Sequence, residues 1–71
     1  MPRFEIAVYN AEVANIVSRG EHHKRFDDGW AETRYIEMNA PSLSEAHVRA
    51  QSKYPTSAGF VVQSVTPLEQ D

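Results

Sequence analysis

The chain has 71 residues, room for one domain and one hydrophobic core at most. Its 41% hydrophobic, 10% aromatic and 24% charged residues argue against wholesale disorder. The lack of cysteine removes any disulfide framework, thiol nucleophile or cysteine-ligated metal site. A formal charge of −3 disfavours generic DNA or RNA binding, which needs clustered Lys and Arg.

The first predicted strand is Arg3-Phe4-Glu5-Ile6-Ala7-Val8-Tyr9. Phe4, Ile6 and Val8 alternate with Arg3, Glu5, Ala7 and Tyr9, the period of a half-buried strand. The next segment, Asn10–Ser18, fits two readings. Asn10 caps a short helix over Ala11–Ser18 that Gly20 stops, or the same residues prolong the first strand. From Arg19 to Gly29 the sequence is polar and turn-rich and reads as an exposed, mobile loop with few apolar anchors.

A second strand is predicted over Trp30–Asn39, with β-branched and aromatic residues in alternation. The clearest local signal is a capping box: the Ser42 hydroxyl can accept from the Glu45 N–H while the Glu45 carboxylate reaches back to Ser42. It opens a predicted helix over Ser42–Tyr54, with Leu43, Ala46, Ala50 and Tyr54 as one apolar stripe and Pro55 as its stop. Gly59–Thr66 reads as the third strand, and Pro67–Asp71 as a frayed tail.

These elements predict an α+β fold in the order β-β-α-β. A helical crossover makes the third strand parallel to the second, so placing the first strand between them leaves every neighbouring pair antiparallel. The expected architecture is a three-stranded antiparallel sheet of order 2-1-3 with one helix on one face. Its expected core is Phe4, Ile6, Val8, Ile36, Leu43, Ala46, Ala50, Tyr54, Phe60 and Val62. No apolar run approaches the length of a signal segment or a membrane span, so the expected location is the cytoplasm.

Chemistry-bearing clusters are sparse. His22 and His23 with Asp27 and Asp28 resemble metal ligands in type only; adjacent histidines lack the spacing that makes a zinc site, and a solvated turn explains them better. Ser42 and Ser44 near His47 lack a nucleophile elbow or a third partner, and capping already accounts for Ser42. The three glycines stand alone and make no phosphate cradle. In a chain this short, core burial and chain entropy nearly cancel, which leaves little support for an enclosed pocket. No enzyme activity, metal or cofactor is expected. The run His23-Lys24-Arg25-Phe26 beside Trp30 has the composition of a binding hot spot, although Trp30 itself fits better as a plug for the core. A structureless connection of this length tends to be functional.

The second half of the chain carries a resemblance. Its residues are Tyr35-Ile36-Glu37, Ser42-Leu43-Ser44-Glu45-Ala46, Lys53-Tyr54, Ala58-Gly59-Phe60-Val61-Val62 and Val65-Thr66-Pro67. Together they resemble the gene-two products of T-seven-type podophages, a family of small inhibitors of the host's bacterial RNA polymerase. The resemblance implies a β-β-α-β fold and docking on the polymerase's largest subunit. That family makes its key contacts through two arginines on the closing strand, where this chain has Ser64 and Thr66. The expected positive contacts are therefore displaced, and the candidate partner-binding residues are Arg19, Glu21, Lys24, Arg25, Phe26 and Arg34. An accessory phage protein that blocks another host complex, such as a defence or metabolic regulator, is the alternative reading.

Overall fold

The computed structural model describes residues 2–68. Three strands, β1 (Arg3–Asn10), β2 (Arg34–Asn39) and β3 (Phe60–Pro67), form a sheet of order β2-β1-β3 with both pairs antiparallel. Helix α1 (Ala11–Ser18) follows β1, and helix α2 (Leu43–Lys53) connects β2 to β3. Short 3-10 turns cover Asp28–Ala31 and Thr56–Ala58. The expected sheet and its order are present, but the order of elements is β-α-β-α-β, with two helices rather than one.

Period-2 alternation builds the core face. Ile6 lies opposite Ile36 on β2 and Val65 on β3, while Phe4 lies opposite Met38. Between Ala7 and Val8 the β1–β3 register shifts: Ala7 pairs with Ser64 and Val8 with Val62, leaving Gln63 as the extra residue of a bulge. The bulge keeps Val65, Val62 and Phe60 on the core face along the whole strand. Phe4, Ile6, Val8, Ala46, Ala50, Tyr54 and Phe60 are buried, and Ile36 and Val62 pack against them half-buried.

Helix α2 starts as its cap predicts, with the Glu45 N–H donating to Ser42 Oγ at 3.2 Å. The reciprocal half of the capping box is replaced: the Glu45 carboxylate faces Arg49 one turn on, 3.6 Å away. Arg49 also donates to the Asn39 carbonyl and ties the helix to the end of β2. Ala46 and Ala50 are fully buried, so the helix backbone approaches the sheet closely. Leu43 departs from the expected core. It sits in the first turn of α2 and is 44% exposed.

Asn10 settles the open choice in favour of a helix. Its fully buried side chain accepts from the Val13 N–H at 3.0 Å, capping α1, and donates to the Ala58 carbonyl at 3.1 Å. The Ala11 N–H donates to the Gly59 carbonyl at 2.8 Å. Gly59 has φ +95°, and a Cβ there would lie 2.7 Å from Asn10 Oδ1. One junction thus joins β1, α1, the turn after α2 and β3. Gly20, at φ +78°, ends α1 while the Arg19 and Glu21 N–H groups both donate to the Ile16 carbonyl.

Two boundaries also move. The second strand begins at Arg34, not Trp30, because Asp28–Ala31 closes a 3-10 turn in which Trp30 N–H donates to the Asp27 carbonyl. That turn swings Trp30 into the end of the core, 5.1 Å from the Phe60 ring and 5.8 Å from Tyr54. Pro67 belongs to β3, and the Leu68 N–H donates to the Arg3 carbonyl, so neither is a frayed tail; Glu69–Asp71 lie outside the described residues.

Candidate functional site

Helix α1 and the loop after it enclose an open cleft of about 350 Å³. Ile16 and Arg19 line it from the helix end, and Glu21, His22, His23, Lys24 and Arg25 from the loop. A domain of this length was expected to enclose little concave surface. The cleft exists because the Gly20 reversal turns the loop back beside the last turn of α1.

His23 shapes the loop. Its Nδ1 accepts the backbone N–H groups of Arg25 at 3.0 Å and Phe26 at 3.3 Å, which assigns the proton of the neutral ring to Nε2. Nε2 then donates to the Glu12 carboxylate at 3.1 Å. Its side chain is only 11% exposed and its ring lies 5.1 Å from Phe26. Phe26 in turn meets Phe60 edge-on at 5.1 Å. The loop therefore has one apolar anchor, Phe26, and a hydrogen-bonded imidazole beside it.

Four of the six expected contact residues, Arg19, Glu21, Lys24 and Arg25, line this one cleft. The other two are engaged elsewhere. Phe26 is half-buried against the core, with the Arg25 guanidinium 5.3 Å from its ring centre. Arg34 lies 4.4 Å over the Trp30 ring and pairs with Asp27 at 2.9 Å, so it seals the plug rather than facing the cleft. Sequence reasoning missed Ile16 and His22 as cleft residues, while His23 belongs to the basic-aromatic run it marked. Ile16 stands one helical turn before Arg19, a signal readable only once α1 is known to be a helix.

Charge is distributed unevenly. Of the seven Lys and Arg residues, Arg3, Arg34 and Arg49 pair with Glu37, Asp27 and Glu45. Arg19, Lys24, Arg25 and Lys53 take part in none of the ion pairs found among the described residues; the first three line the cleft, while Lys53 ends α2 with its Nζ 5.9 Å from the Tyr54 ring centre. His22, also in the lining, turns to Asp28. Its Nδ1 lies 2.8 Å from Asp28, and that hydrogen bond, followed by the carboxylate's charge, raises its pKa above the ordinary 6.5. The two histidines turn to different carboxylates, and among the described residues no three His, Cys, Asp or Glu side chains converge to hold a metal ion.

The closing strand presents a different surface. Ser64 and Thr66 are exposed and lie opposite Ala7 and Glu5. Glu5 is opposite Glu37, and Tyr35 on this face is 67% exposed. This sheet face is thus polar, carrying Glu5 and the Arg3–Glu37 pair. No helix among the described residues is long and apolar enough to cross a membrane. Comparisons with family models, curated proteins and solved structures return no match.

Proposed function

We propose that this protein is a phage early protein that binds the host's bacterial RNA polymerase in the cytoplasm, through the largest subunit, and inhibits transcription without catalysis of its own. The observation that carries the docking reading is the cleft itself, where three cations without ion-pair partners gather on a chain of net charge −3. A cation already paired contributes little to a partner, whereas one without a pair can bind an acidic surface and speed encounter. The choice of polymerase rests on the resemblance of residues 35–67 to the podophage inhibitors. The second reading, another host complex as the target, is favoured by one specific feature: Ser64 and Thr66 cannot make the bidentate, charge-assisted pairs that arginines make with carboxylates.

Transcription by purified bacterial polymerase, with the full chain added at about micromolar concentration, tests the target; binding of that strength corresponds to about 8 kcal/mol. Dose-dependent inhibition is the expected result. Undisturbed transcription together with absent binding eliminates the polymerase and leaves the second reading.

A further inference from the structure

We infer that the cleft between α1 and its loop receives an acidic peptide segment of the partner that carries one large apolar side chain. The inference rests on the docking reading above and adds the chemistry of the docked segment. Ile16 supplies an apolar, half-buried wall, while Arg19, Lys24 and Arg25 bring cationic heads on aliphatic stems and outnumber the one acid of the lining, Glu21. The volume of about 350 Å³ is at the small end of ligand pockets. It accommodates a side chain with its flanking backbone, and an inorganic anion would leave the Ile16 wall uncovered. Carboxylates on either side of the apolar residue then meet the cations.

A single-stranded nucleic acid fits less well. Base recognition of that kind needs exposed aromatic faces beside the cationic track. Here Phe26 and Trp30, the aromatics nearest in sequence, are turned inward onto Phe60 and Tyr54. The exposed Tyr35 lies instead on the sheet face with Glu5 and the Arg3–Glu37 pair and does not line the cleft.

The test uses the full chain, uniformly labelled for amide resonances, and a short blocked peptide with a central leucine flanked by aspartates and glutamates. Two control peptides replace the leucine by serine, or the acids by their amides. The expected result is saturable shifts confined to Ile16 and residues 19–25, with roughly tenfold weaker binding for the serine control, the size expected for burying one leucine. The amide control should lose most of its affinity, and added salt should weaken the parent peptide. Arg19→Ser with Arg25→Ser should abolish the shifts while leaving the remaining spectrum folded. Equal binding of the serine control, saturation at another surface, no saturation at about millimolar peptide, or tighter binding of an oligothymidylate at the cleft would each overturn the inference. Its failure is separable from that of the polymerase reading. A peptide that binds when polymerase does not leaves the cleft chemistry standing, and a polymerase that binds when the peptide does not leaves only the target.

Discussion

The layer made by the sheet and α2 and the segment from α1 to Trp30 place their arginines differently. In the first, Arg3 pairs with Glu37 and Arg49 with Glu45, and small alanines let helix and sheet close together. In the second, the aromatics Phe26 and Trp30 face inward, while Arg19, Lys24 and Arg25 around the cleft are left without ion-pair partners. Exposed ion pairs add only about 0–1 kcal/mol to stability, so leaving three cations unpaired costs the fold little. What it provides is three cationic side chains gathered at one cleft, beside the single acid Glu21, available to a partner's carboxylates. The difference shows how a small domain can separate the residues that hold it together from those that meet a partner.

The sharpest way to break this division is at the junction that joins the two regions. Asn10→Ala removes the cap of α1 and the donor to the Ala58 carbonyl. Losing the cap costs about 1 kcal/mol and orphaning a part-buried acceptor about 1 kcal/mol more, so urea unfolding should show a loss of about 2 kcal/mol. A loss under about 0.5 kcal/mol would show that α1 and its loop hold their place without Asn10.

Within the sheet–helix layer, Ala50→Leu should destabilise by about 1–3 kcal/mol through overpacking. Thermal melting reads the effect, and an unchanged transition would mean that α2 presents another face to the sheet. Charge reversal at the cleft, Lys24→Glu with Arg25→Glu, should instead leave stability within about 0.5 kcal/mol, as for other exposed substitutions. A large loss on unfolding would give these side chains a structural role and erase the division.

The smallest expected effect is at His22. Its folded pKa is raised by Asp28, so the stabilisation from this pair is fully present below the unfolded value near 6.5 and is lost as pH rises through the folded value. Asp28→Asn should lower the imidazole titration midpoint towards 6.5, followed by ring proton resonances. A midpoint that does not move would remove Asp28 as the cause.

Much of the sheet–helix layer was legible because its signals are local. The alternation in β1, the Ser42 cap and the Pro55 stop each lie within a few neighbouring residues. The α1 segment was not, since Val13, Ile16 and Val17 suit a helix or a strand, and the deciding contact runs from Asn10 to Ala58, across most of the chain. Leu43 was misplaced in the core and Trp30 in the second strand, where a 3-10 turn overrode periodicity, although Trp30 does plug the core as its size suggested. The composition of the loop marked Arg19, Glu21, Lys24 and Arg25. That Arg34 is paired while Lys24 and Arg25 are not is a property of folded geometry, which no spacing rule encodes.

The most direct test of the account compares two doubly substituted proteins for binding to purified polymerase: Lys24→Glu with Arg25→Glu, and Ser64→Ala with Thr66→Ala. The cleft pair should weaken binding by about 2–5 kcal/mol if those charges are desolvated in the complex, while the strand pair should leave it unchanged. Loss of binding in the strand pair with full binding in the cleft pair would contradict the account and place the interface on the open face of the sheet.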